Sequence, residues 1–220
     1  MAQQLVLARL HPEPWRFSGD LRSVAACFVC FPRGQEGRGQ AGDLGWAAAA
    51  LMQRGRLVAT ATVRGKAGWS YEPGLLALRE GPLLEAAVCA LPERPELLVV
   101  NATGRDHPRR AGLALHLGFR LGIPTVGVTR RPMMAQGALP RQVRGSVSPL
   151  LLEGEVVAYW VRTRSGTAPL VAHAAWRTDP ETAAEVLLQL TERWRTPEPL
   201  RQARAAARAA RAASPPREHE

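Results

Sequence analysis

Two groups of arginines carry the first chemical signal in this chain. Arg105, Arg109 and Arg110 lead into a stretch with helical apolar spacing, and Arg130 and Arg131 follow an apolar, strand-like stretch over 124–128. A guanidinium offers a planar fork of donors that matches phosphate oxygens, and the free N–H groups at a helix start favour anions. A helix and its neighbouring parallel strand would bring both groups to the carboxyl edge of an open α/β sheet, where such sheets bind their ligands. The chemistry on offer is recognition of phosphate, with a solvated, charge-balanced surface as the alternative. A third group, Arg201, Arg204, Arg208 and Arg211, is spaced as one stripe of a helix among alanines over 200–213. It reads as a phosphate-contacting arm, as a contact for a protein partner, or as a solvated, frayed helix with little apolar surface to dock it.

Composition agrees with a polyanionic partner. The 220 residues carry 29 Lys and Arg against 19 Asp and Glu, a formal net charge of +10, and Lys66 is the only lysine. DNA or RNA fits that balance, although a GC-rich genome would enrich arginine with no binding role. With 46% apolar and 22% charged residues the chain reads as globular. Its longest apolar runs, such as 23–31, fall short of the ~20 residues that span a membrane, so no membrane partner is expected. The opening residues lack a basic start followed by an apolar run and a small-residue cleavage site, and a cytoplasmic address is expected. Three cysteines, an odd count, argue against a disulfide framework, and Cys27, Cys30 and Cys89 are expected as small core residues.

The elements that must position these side chains follow from periodicity. Residues 23–31 read as a buried strand, and 46–52 and 56–64 as two more, joined by Gln53, Arg54 and Gly55 as a hairpin. The stretch 75–91 has a helical period, carried by Leu83, Leu84, Ala87, Val88 and Leu91, with Pro92 as its stop. Residues 97–100 form a short apolar strand, 109–121 a helix striped by Leu113, Leu117 and Leu121, and 124–128 a further strand, together a βαβ unit. Residues 150–152 and 156–161 flank Glu153 and Gly154 as a hairpin, and Asp179 caps a helix from Pro180 to about Trp194. The expected fold class is α/β, a mixed sheet with three leading antiparallel strands, then βαβ, flanked by helices. An N-terminal segment (1–20), a domain (21–196) and an Arg/Ala-rich C-terminal helix and tail (197–220) make up the chain.

Three stretches, YEPGLLALRE (71–80), LLVVNATGRDHPRRAGLALHLGFRLGIPTVGVTRR (97–131) and PLVAHAAWRTDPETAAEVL (169–187), resemble segments of the endonuclease V family. The resemblance runs over about residues 20–200 and is most specific in the middle stretch, where HPRR, HLG and IPTVGV follow in unbroken register. It implies an RNase H-like fold, in agreement with the order of elements above. It also implies Mg²⁺-dependent cutting of DNA or RNA near a deaminated base such as hypoxanthine. By the same resemblance Tyr71 and Pro73 belong to a wedge that separates bases, Gly74 and Leu76 line a pocket for an everted base, and Gly104 and His107 flank that pocket. Arg130 stands where the family has a lysine, and with Arg109 and Arg110 completes the expected nucleic-acid contacts.

A site of this kind holds Mg²⁺ with carboxylates, because this hard cation takes oxygen ligands. Glu80, preceded by Arg79, matches the family Glu and is the expected metal ligand. Phe28 falls where the family has a first-strand Asp, Asn101 where a second Asp ends the fourth strand, and Trp176 where a His precedes the last helix. A phenyl ring cannot bind Mg²⁺, and an amide offers one neutral oxygen. Ser70 and Glu72 replace a proline and an apolar residue in the wedge, and Ala102 and Thr103 replace a Gly and a His beside the pocket. Of the four catalytic positions only Glu80 survives, with Asn101 standing in for an Asp as the second catalytic candidate. With these departures the resemblance implies a nucleic-acid-binding relative whose cleavage is lost or strongly reduced. Two alternatives stand beside it. One is an active Mg²⁺-dependent endonuclease with a rearranged site that recruits Asp106 or His173. The other is a non-catalytic scaffold, with no cofactor, that docks a protein through its Arg-rich C-terminal helix.

Overall fold

The computed structural model describes residues 2–16, 19–33 and 38–214. Strand β1 (Ser23–Cys30) pairs antiparallel with β2 (Leu44–Gln53), which pairs antiparallel with β3 (Arg56–Lys66). On its other side β1 runs parallel to β4 (Leu97–Val100), and β4 parallel to β5 (Thr125–Thr129). The sheet continues antiparallel through β8 (Leu170–Ala174), β7 (Glu155–Val161) and β6 (Val147–Leu152). The expected mixed sheet is therefore present, with the strand order β3-β2-β1-β4-β5-β8-β7-β6. Both hairpins turn on two residues at positive φ, Arg54 and Gly55 (47° and 76°) and Glu153 and Gly154 (54° and 85°), the twist that a two-residue connection needs.

Alternation along the strands divides the core. Ala25, Cys27, Leu98 and Val100 face helices α2 (Leu76–Cys89) and α3 (Leu113–Leu121), with Leu7 of α1 (Ala2–Ala8) beside them. Val24, Ala26, Leu97, Val99 and Val126 face α4 (Pro180–Gln189) and α5 (Glu198–Ala212). Asp179 caps α4 as expected, accepting the Thr182 N–H at 2.8 Å.

Four expectations need correction. Helix α5 is docked rather than frayed: Leu200, Ala203 and Ala207 are buried, and Ala207 meets Cys30, Trp46 and Ala48. Alanine on both helix and strand lets the two backbones approach, so short side chains suffice to seal the contact. Helix α3 starts at Leu113 instead of 109, because Arg110 takes φ 54° and its N–H closes a turn onto the His107 carbonyl at 2.8 Å. Helix α4 ends at Gln189, short of Trp194, and the Thr191 hydroxyl donates to the Leu187 carbonyl at 2.7 Å just beyond its end. Cys27 and Cys30 are buried, but Cys89 is exposed. Strand β8 and helix α1 were not read from periodicity; β8 is five residues long and buried throughout, so it carries no alternation to detect. No helix among the described residues is long and apolar enough to cross a membrane.

Candidate functional site

The parallel strands β1, β4 and β5 end together at one edge of the sheet. The last registered pair of β1 and β4 is Cys27 with Val100, so Phe28 and Asn101 stand side by side one step on. Helix α2 lies on the face of Cys27 and carries Glu80 to this edge. Cys27, Phe28, Leu76, Glu80, Asn101 and Leu113 wall a cavity of about 150 Å³, which brings both catalytic candidates together.

The electrostatics of this cavity are those of one isolated acid. Burial lifts the Glu80 carboxyl to about 7, offset only in part by the neighbouring Arg79. The Arg79 guanidinium is committed elsewhere, to Asp43 (2.8 Å) and to the carbonyls of Gln40 (2.7 Å) and Trp69 (3.0 Å). Burial, and after it Glu80, pushes the Cys27 thiol up, so it stays neutral. The Phe28 ring lies beneath Arg204, whose guanidinium carbon is 5.0 Å from the ring centroid. Mg²⁺ requires several hard, preferably anionic, oxygens. One carboxyl, a carboxamide, a buried thiol and a phenyl ring do not fit that ion. Among the described residues no group of three His, Cys, Asp or Glu side chains gathers as a metal holder.

A second cavity, of about 250 Å³, shares Leu76, Asn101 and Leu113 with the first and adds Tyr71, Pro73, Gly74 and His107 among its walls. Gly74 has φ 78°, and its carbonyl accepts from three donors: Arg109 Nη2 (2.7 Å), Gln4 Nε2 (3.0 Å) and His107 Nε2 (3.0 Å). The Arg109 N–H donates to His107 Nδ1 at 3.1 Å, which leaves the ring proton on Nε2 and makes Gly74 its acceptor. Burial holds His107 below the ordinary histidine range, keeping the ring neutral in that role. The loop around Gly74 is thus held by α1 and by the turn before α3. Gln4 is a cavity-lining residue that sequence reasoning missed; a buried glutamine in a seven-residue helix leaves no local signal.

Several of the arginines expected to contact nucleic acid are engaged by other parts of the chain. Arg109 also donates to Gln4 Oε1 (2.6 Å). Arg110 donates to the Leu152 carbonyl (3.0 Å) and pairs with Glu153 (2.9 Å) and Glu155 (3.3 Å). Arg105 holds the carbonyls of Ala8 and Leu10, at 3.1 and 2.6 Å. None of the three surrounds a helix start, since α3 begins at Leu113. Gly104 is not in the wall of either cavity; a Cβ there would lie 2.0 Å from the Ala174 carbonyl oxygen, so close packing on β8 explains the glycine. Arg130 is exposed and has no ion pair among the described residues.

Asp106 and His173 also lie away from Glu80. Asp106 is fully buried and accepts the backbone N–H groups of Met133 (2.7 Å), Met134 (2.8 Å) and Ala135 (2.8 Å). It faces His173 Nδ1 at 3.6 Å, while His173 Nε2 lies 2.7 Å from the Thr129 hydroxyl. Burial holds His173 well below the ordinary histidine range. Neither residue lines the Glu80 cavity. Trp176 packs edge-to-face on Phe119, with centroids 5.2 Å apart.

The family model for Endonuclease V matches residues 6–205. The chain belongs to the endonuclease V family. The endonuclease V of Streptomyces coelicolor is 44% identical over 170 residues, which cover 76% of this chain and 73% of that protein. The crystal structure of endonuclease V from Streptomyces avermitilis matches with a TM-score of 0.85 at 35% identity, over 96% of this chain and 91% of that one. The sheet and helices described above are the RNase H-like fold of that family. Endonuclease V of Ciona intestinalis, solved with a 24-mer DNA containing an inosine followed by a ribo-adenosine, shares the fold at 19% identity and a TM-score of 0.79, over 96% and 95% of the two chains.

Proposed function

We propose that this protein binds a nucleic-acid strand carrying a deaminated base such as hypoxanthine, and that its metal-dependent cleavage of phosphodiesters is lost or strongly reduced. The observation that carries the reading is the donor set at the strand edge: among the described residues Glu80 is the single carboxyl lining this cavity, beside the Asn101 amide and the Cys27 thiol. One acid beside a neutral amide and a thiol supplies too little charge to hold and activate a divalent cation. Binding is supported by the neighbouring cavity, where Tyr71 stands at an exposed position and the Gly74 carbonyl is fixed by His107, Arg109 and Gln4. In this reading His107 and Arg109 position the wedge loop rather than touch the base. The inosine-containing DNA bound by the Ciona relative is the chemical class of ligand we assign. A cytoplasmic setting accords with three free thiols, Cys27, Cys30 and Cys89.

Over the active alternative with a rearranged site we favour this reading, since Asp106 accepts from three backbone amides. The test is a comparison of binding and nicking on single strands of DNA and RNA, with and without one inosine, in Mg²⁺ and in Mn²⁺. Retention of the inosine strand with no nicking above background is expected. Nicking that disappears in Glu80→Gln would overturn the proposal.

A further inference from the structure

Arg204, Arg208, Arg195 and Arg130 come from three separate stretches of chain to the α5 side of the edge where β1 and β5 end. Arg204 stacks over Phe28 at 5.0 Å, and its buried Nε donates to nothing among the described residues. Arg208 follows one helical turn on. Arg130 comes one residue past β5, in phase with Val126 and Val128, which share an apolar cluster with Phe28. Thr129 pairs with Val171 near the start of β8. Just before that strand Arg195 donates to the carbonyls of Ala168 (2.7 Å) and Pro169 (3.1 Å), which sets it beside Arg130. The charges feel one another: burial, then Arg208, Arg130 and Arg201, hold Arg204 below its ordinary range, and burial and Arg130 do the same for Arg195.

Like charges gathered this closely call for an anion. Among the described residues Arg16, Arg79, Arg110 and Arg120 are each paired with a carboxylate, whereas Arg130, Arg195, Arg204 and Arg208 are not. Arg201 is already engaged, with Glu198 (3.1 Å) and stacked on Trp194 at 4.3 Å. We propose that Arg204, Arg130, Arg195 and Arg208 form a phosphodiester-binding site over Phe28, where fixed guanidinium charge holds the backbone of a nucleic-acid strand without a metal ion. The forked donors match phosphate oxygens. Phe28 serves two sites at once, walling the Glu80 and Asn101 cavity while carrying Arg204. The proposal rests on the nucleic-acid reading above and adds to it the residues and the kind of charge that grip the strand.

The test is fluorescence anisotropy of the full chain with a labelled single-stranded oligonucleotide carrying one inosine, in EDTA and in Mg²⁺, across a salt series. Equal affinity in EDTA and Mg²⁺ is expected. Arg130→Gln, an exposed change that breaks no internal contact, is expected to weaken binding about five-fold. It should also reduce the slope of log K against log salt by about 0.7, the share of one phosphate contact on a single strand. Adding Arg204→Gln weakens binding further, while the charge-matched pair Arg54→Gln and Arg56→Gln, at the distant hairpin turn, stays within about two-fold. Equal losses in both pairs, or binding that requires Mg²⁺, overturn the site. A second arm follows the thermal midpoint with inorganic pyrophosphate. If pyrophosphate stabilises the parent but not the Arg130 and Arg204 variant while the oligonucleotide is not bound, the phosphate site stands and the nucleic-acid reading falls. If the oligonucleotide binds equally to parent and variant, the site falls and that reading stands. If neither probe binds, both fall.

Discussion

Glu80 and Asp106 both lie on the α2 and α3 side of the sheet, the first in a cavity at the ends of β1 and β4, the second beneath the residues that follow β5. Asp106 accepts three backbone N–H groups within 2.8 Å and faces His173, whereas Glu80 accepts no hydrogen bond among the described residues. The difference teaches how to read an acid in this fold. A carboxylate whose oxygens are filled by the chain's own amides belongs to the architecture, since removing it strands those donors. An acid left unfilled and partly desolvated keeps its capacity for something outside the chain, at a cost to the fold. Proximity in sequence to a family motif did not separate the two; the donors around them do.

The comparison can be broken most directly at Asp106. Asp106→Ala leaves three buried amide donors without an acceptor and is expected to cost about 4 kcal/mol in urea unfolding. A loss below about 1 kcal/mol would mean that water replaces the carboxylate and that the contrast with Glu80 is false.

Glu80→Gln sharpens the comparison with the opposite sign. Because burial raises Glu80 from 4.5 to about 7, the fold prefers its protonated form. That favourable contribution is complete below the unfolded value and is lost as pH rises through about 7. The amide, which never ionises, should leave stability at pH 5 nearly unchanged and raise it at pH 8 by on the order of 2 kcal/mol. An equal effect at both pH values would show that the carboxyl is not desolvated. The smallest effect is expected at Asp179, an intermediate case that accepts one N–H, from Thr182, and pairs with Arg16 near the surface. Asp179→Ala should cost about 1 kcal/mol and lower the thermal midpoint by roughly 2–4 °C.

Much of this was legible locally. The strands around Cys27 and Val100, the helix that carries Glu80 and both two-residue hairpins follow from alternation, helical period and turn chemistry within a few neighbouring positions. The motif register brought Glu80 and Asn101 to one cavity. The bonds that engage Arg109 and Arg110 within the chain were not legible, because their partners, Gly74 and Glu153, lie far away in sequence. Helix α5 was misread because alanine's weak apolar signal gains its value only against the alanines of β2.

The sequence by itself determined the family, the order of the elements and the non-acidic residue types at positions 28 and 101, because each is written in residue type and short-range spacing. Only the tertiary structure decided which charges are paired and which have no ion pair among the described residues. Pairing and desolvation depend on what lies across space, and for Arg130, Arg204 and Glu80 the neighbours that matter come from distant parts of the chain.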